Sequence, residues 1–145
     1  MVTAGASDYL DCVGVHYNES ATSAFDTTGH PAGAYYGWYL QPSLNAVFLA
    51  FVGIRPLYIT ELGILSGDGL PALPDRFWWA QDTSAQEQAI WPAEALTVAD
   101  QSGYVRLAIV FNVGMTQWGD DPQAGFAIIR PAGNCPFCEI VLGGN

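Results

Sequence analysis

The chain has 145 residues, half of them apolar, which is one domain's worth of material with enough apolar side chains for a sizeable core. Four arginines and no lysine stand against fourteen acids, a formal charge of -10, and this excludes phosphate-backbone binding and attraction to anionic membrane surfaces. Neither a basic-then-apolar leader nor a run of about 18 apolar residues is present, so the sequence as written reads as cytoplasmic, with neither nucleic acid nor membrane as a partner.

In chain order, residues 10–17 (Leu-Asp-Cys-Val-Gly-Val-His-Tyr) form the first strand candidate, nearly continuous in apolar residues as parallel strands covered on both faces are. It ends in His16, Tyr17, Asn18 and Glu19. A loop rich in Ser, Thr, Gly and Asp follows to about residue 33. Residues 35–52 then read as a helix, since Tyr36, Leu40, Leu44, Val47, Phe48 and Phe51 keep helical spacing and Gly53 is a suitable stop, with a kink or restart expected at Pro42.

Residues 56–62 read as a second buried strand that delivers one carboxylate, Glu61, to its C-terminal end; Pro56 fixes the entry and Gly63 frees the backbone just past the acid. A long loop carries the Trp78-Trp79 pair. Ser84-Ala85-Gln86-Glu87 has capping-box spacing, so a helix is expected over residues 84–102, with Gly103 as its stop and Pro92 as an interior proline costing about 3 kcal/mol. Residues 105–113 are the third strand candidate. After it come a polar loop with Trp118, Asp120 and Asp121, an apolar hairpin-like segment at 126–129, and a short β-prone tail at 139–142.

This order implies an α/β domain with parallel strands and right-handed crossovers. The strand starts lie about 45 to 50 residues apart where a minimal βαβ unit needs roughly 30, and the surplus follows each strand. Long loops of that kind gather on the C-terminal face of the sheet, where barrel enzymes keep their active sites. Cys135-Pro136-Phe137-Cys138 has the spacing of a local disulfide, of a redox pair and of half a zinc site, while Cys12, inside an apolar run, reads as core.

Three segments together resemble the last three strands of a clan-A (β/α)8-barrel retaining glycoside hydrolase: Asp11-Cys12-Val13-Gly14-Val15-His16-Tyr17, Pro56-Leu57-Tyr58-Ile59-Thr60-Glu61-Leu62-Gly63, and Val110-Phe111-Asn112 with the later Gly125-Phe126-Ala127-Ile128-Ile129-Arg130-Pro131-Ala132-Gly133. The resemblance spans nearly the whole chain and implies a single truncated TIM-barrel domain over residues 1–145. It gives Glu61, at the end of strand seven of such a barrel, the role of nucleophile. It sets His16 and Tyr17 where strand-six residues bond the nucleophile or substrate. Trp118 falls in the loop after strand eight, which often carries a sugar-stacking aromatic, although the usual strand-end tryptophan is replaced by Phe111-Asn112. The strand-four Asn-Glu pair that supplies the acid/base in this family has no counterpart here.

Three parallel strands of eight leave bare edges and an uncovered inner face, so copies of the chain are expected to associate into a homodimer or larger homo-oligomer that completes the sheet. Retaining hydrolysis needs two carboxyl groups about 5 to 5.5 Å apart. Glu61 is one; a symmetry mate's Glu61, Glu19, Asp120 or Asp121 is the other. Asn18, Asn112 and Asp120 are the polar candidates for substrate contact, and Trp78, Trp79 and Trp118 the aromatic ones for a carbohydrate or aryl-glycoside. Each has a plain alternative: an idle or structural Glu61, a core histidine and tyrosine, tryptophans that anchor loops, and aspartates in a solvated loop. No cofactor and no metal are required. The function expected is hydrolysis of β-glycosides. The alternative is a silent fragment that self-associates or binds carbohydrate.

Overall fold

The computed structural model describes residues 5–143. Three strands, β1 (Val13–Tyr17), β2 (Leu57–Leu62) and β3 (Val105–Val110), form one parallel sheet in the order β1-β2-β3. Helix α1 (Leu40–Ala50) joins β1 to β2, α2 (Ala85–Ser102) joins β2 to β3, and α3 (Pro136–Leu142) closes the chain against α2. Among the described residues, no helix is long and apolar enough to cross a membrane.

Both crossover helices share one core with one face of the sheet. Tyr17, Leu57, Ile59, Leu62 and Val105 of the strands pack with Leu40 and Leu44 of α1 and with Ala95, Val98 and Ala99 of α2. A doubly wound sheet carries helices on both faces, but here the opposite face keeps Leu107 and Ile109 41% and 48% exposed. The sheet is therefore one-sided. Its three long connections, residues 18–39, 63–84 and 111–135, all follow strands and lie at the same end of the sheet, as the strand spacing requires.

The helix expected at 35–52 begins five residues later. A 3-10 turn at Tyr36–Trp38 precedes α1, and Pro42 is the third residue of the helix, where its missing N–H is one that no helical carbonyl awaits. Of the kink or restart expected at Pro42, the chain shows the restart: Tyr39 is extended and α1 begins anew at Leu40, which puts the proline in the first turn. Helix α2 runs as read: the Ser84 side chain accepts from the Glu87 N–H, the Glu87 carboxylate accepts from the Ser84 N–H, and Gly103 ends it at φ 73°. Pro92 stays inside it, fully buried, its packing offsetting the lost backbone bond.

Two further expectations are corrected. The tail at 139–142 is helical, started by Pro136 in the first turn of α3 and by the Cys135 sulfur accepting the Cys138 N–H at 3.2 Å. Cys12, read as core, is only half-buried just ahead of β1, whereas Cys135 and Cys138 are joined in the local disulfide that their spacing allowed. The 126–129 segment does return along the end of β3: Asn112 N–H donates to the Phe126 carbonyl, and Ile128 and Ile129 donate to Asn112 and Val113.

The loops after β2 and β3 have a small core of their own, built on Leu65, Ala80 and Phe126. Beside it lies a buried polar hub. Gln88 of α2 donates to the carbonyls of Ile64 (3.0 Å) and Gly125 (2.6 Å) and accepts from the Arg130 guanidinium (2.6 Å). Arg130 also donates to the Asp68 and Ser66 carbonyls. Burial lowers its pKa, the nearby Asp68 opposing the shift. One helix residue thus ties down both loops. Gln88→Leu is expected to cost about 2 kcal/mol in urea unfolding, because the Ile64 carbonyl loses its donor and the Arg130 guanidinium loses its Gln88 acceptor, while Ser66 N–H still serves the Gly125 carbonyl. Combined with Arg130→Met it is expected to cost clearly less than the sum of the single changes.

Candidate active site

Glu61 reaches the open face of the sheet through an irregularity. Val15 pairs with Ile59 and His16 pairs with Glu61, which leaves Thr60 of β2 without a partner on β1. The same surplus shows against β3, where Ile59 pairs with Ala108 and Leu62 with Val110. Simple alternation from Leu57 and Ile59 would carry Glu61 into the helix-covered core. The extra residue instead turns Glu61 outward and returns Leu62 to the core. Thr60 Oγ1 donates to the Val15 carbonyl at 3.2 Å, which holds the bulge.

The bulge brings three sequence-read residues together. Asn18 Nδ2 donates to Glu61 Oε2 at 2.7 Å, and His16 Nδ1 lies 3.4 Å from the same oxygen. Glu61 Oε1 has no hydrogen-bond partner among the described residues, and the side chain is 33% exposed. The carboxylate is thus anchored by one oxygen and open at the other. Gly63 allows this approach by its size, not by its backbone freedom: a Cβ there would meet the Phe111 carbonyl oxygen at 2.5 Å and Asn18 Oδ1 at 3.0 Å.

Tyr17 is not part of this cluster. It faces the helix side, 4% exposed, and its hydroxyl donates to the Trp38 carbonyl at 3.2 Å. Burial pushes the phenol up to about 12, which keeps it a neutral donor at ordinary pH. Asn112 is also committed elsewhere, donating to the Gln123 carbonyl and accepting from the Met115 N–H. Asp121 accepts from Gln117 and Gln123. Glu19 and Asp120 are exposed, and neither contacts Glu61; the Asp120 carbonyl is held by Arg76. Among the described residues no three His, Cys, Asp or Glu side chains are grouped to hold a metal ion.

The aromatic candidates divide in the same way. Trp78 is 54% exposed and lines a cavity of about 590 Å³ in the loop after β2. Trp79 turns inward against His30, ring centroids 5.8 Å apart. Trp118 is half-buried and packs on Gly125, where a Cβ would stand 3.2 Å from its ring.

His30 carried no functional reading in the sequence, yet it organises the loop after β1. Its ring is 4% exposed and stacks on Trp38 at 5.0 Å. Nδ1 accepts the Ala32 N–H at 3.1 Å, so Nε2 carries the proton and donates to the Glu19 carbonyl at 2.9 Å. A histidine followed at once by proline in a polar loop gives no local sign of this burial.

Compared with protein-family models, with curated proteins and with solved structures, the chain matches none.

Burial lowers the His30 pKa below its ordinary value, the Glu19 carbonyl opposing the shift. The unfolded chain therefore takes up this proton first as pH falls. The stability carried by the neutral ring is full above about pH 6.5 and is lost progressively below it. The unfolding free energy of His30→Gln, measured by denaturant titration, is expected to fall less steeply than the wild type's between about pH 7 and pH 5.

Proposed function

We propose that this chain is a three-unit portion of a (β/α)8 barrel that hydrolyses β-glycosides with retention, Glu61 acting as nucleophile. The supporting observation is the asymmetry of Glu61: Asn18 and His16 engage Oε2, and Oε1 has no hydrogen-bond partner among the described residues. A carboxylate held in that way is oriented for in-line attack with little rotamer freedom left to lose. The one-sided helix layer and the gathering of all three long loops at one end of the sheet also suit a barrel segment.

In the proposed reaction Glu61 Oε1 attacks the anomeric carbon, forming a glycosyl ester while the leaving oxygen takes a proton from a second carboxyl group. Water then cleaves the ester, its proton passing to that same second group. Glu19, next in the chain to Asn18, is the nearest candidate by sequence for the second group, and a partner copy's Glu61 is the other. The exposed Leu107 and Ile109 on the site's own face of the sheet favour a homo-oligomer in which a second copy covers that face. Trp78 supplies an exposed ring for a sugar or an aryl leaving group.

The alternative is a silent carbohydrate-binding or self-associating segment. It is favoured by one fact: among the described residues no second carboxylate touches Glu61. Hydrolysis of a panel of aryl β-glycosides, followed across size-separated fractions by light scattering, distinguishes the two. Turnover is expected to follow the oligomeric fraction, to fall by at least about a thousandfold in Glu61→Gln and by about tenfold in Asn18→Ala. Sugar binding without turnover that survives Glu61→Gln would establish the silent reading.

A further inference from the structure

We propose that the cystine formed by Cys135 and Cys138 is redox-active and exchanges its disulfide with dithiols, taking two electrons from each thiol pair that it oxidises. The two cysteines stand three positions apart, and both are only half-buried, so the bond lies within reach of solvent. Nothing in the glycosidase reading uses it.

The fold does not depend on this bond to hold the segment. A cross-link that closes so short a loop removes less entropy from the unfolded chain than one joining distant segments. The contacts that place the two cysteines survive reduction. Phe137, between them, is 7% exposed, and α3 packs on α2. The Glu139 N–H donates to the Cys135 carbonyl at 3.1 Å, and a turn fixes the approach to Cys135: the Arg130 N–H donates to the Asn134 carbonyl and the Gly133 N–H to the Arg130 carbonyl, each at 2.8 Å. Reduction therefore leaves the two thiols side by side, ready to close again. A pair held in that way cycles, whereas a cross-link that carries the fold does not.

The two sulfurs are not equivalent. The Cys138 N–H is aimed at Cys135 Sγ at 3.2 Å. A donor there stabilises negative charge on sulfur, so Cys135 is the better leaving thiolate and, once reduced, the more reactive one. In the exchange a partner thiolate attacks Cys138 Sγ. A sulfur–sulfur bond forms to the partner as the bond between Cys138 and Cys135 breaks, and the electron pair leaves on Cys135 Sγ. The partner's second thiolate then attacks its own sulfur in this mixed disulfide and expels Cys138. The disulfide has passed to the partner, whose two protons end on Cys135 and Cys138. A small disulfide of the glutathione class restores the cystine by the reverse steps. Room for the incoming group exists: a groove of about 530 Å³ opens beside Pro136 and Glu139, the chain neighbours of the two cysteines.

The test uses the full chain carrying Cys12→Ser, so that every thiol signal comes from the pair. Equilibration in glutathione buffers of rising reduced-to-oxidised ratio, followed by acid quench, alkylation and peptide mass spectrometry, is expected to show a reversible two-electron transition. Circular dichroism is expected to stay that of the oxidised protein throughout. In the reduced protein, limiting iodoacetamide is expected to label Cys135 about fivefold faster than Cys138. In substoichiometric amount, with oxidised glutathione as the terminal oxidant, the protein is expected to speed disulfide closure about tenfold, and neither Cys135→Ser nor Cys138→Ser does so. Two substrates, dihydrolipoamide and reduced unfolded ribonuclease, distinguish a small dithiol from a protein one; acceleration of either supports the proposal and names the source. The proposal is overturned by a pair that stays oxidised in the largest excess of reduced glutathione, by loss of the fold on reduction, by equal labelling of the two cysteines, or by acceleration of neither substrate.

Discussion

The surplus residue in β2 decides where the chain's one strand-end carboxylate points. With strict alternation, Glu61 would sit among Ile59, Leu40 and Ala95, where an unpaired carboxylate costs several kcal/mol and Leu62 would be turned out to water. Thr60 absorbs the extra step and bonds back to the Val15 carbonyl. Both requirements are then met, an apolar helix-side face and a polar strand end. The Asn18 and His16 contacts depend on this twist, because they come from β1 and the residue just after it, on the face that Glu61 reaches only through the bulge.

The loops at that end of the sheet are built as firmly as the sheet. Leu65, Ala80 and Phe126 give them a core. Gln88 and Arg130 satisfy carbonyls from both later loops, and His30 with Trp79 fastens the first loop to the second. A site on such loops is pre-organised, so the cost of holding a ligand falls chiefly on the ligand. The sheet's outer face, by contrast, carries exposed Leu107 and Ile109, the signature of a surface that gains by being covered.

Local patterns made the parallel sheet, the capping box at Ser84 and the stop at Gly103 legible, because each rests on residues a few positions apart. The cluster of Glu61, His16 and Asn18 was legible as a set of polar strand ends. What escaped depended on longer range. The aromatic run at 35–39 has helical spacing but is spent on a 3-10 turn and on contacts to His30. The tail at 139–142 has strand-like residues, yet Pro136 and the cystine start a helix that packs on α2. Tyr17 and Glu61 looked like neighbours at two strand ends, but alternation puts Tyr17 on the helix side. Gln88 and Arg130 lie 42 positions apart, and nothing near either residue announces the bond.

The central claim, that Glu61 is an outward-facing nucleophile, is tested most directly by covalent trapping. A 2-deoxy-2-fluoro β-glycoside with a dinitrophenolate leaving group needs no proton donor, so its reaction reports on the nucleophile independently of the second carboxyl group. Intact-mass and peptide mass spectrometry are expected to show one fluoroglycosyl group per chain, on the peptide containing Glu61, and no label in Glu61→Gln. Absence of label with any common pyranoside, or label on another carboxylate that persists in Glu61→Gln, would contradict the account.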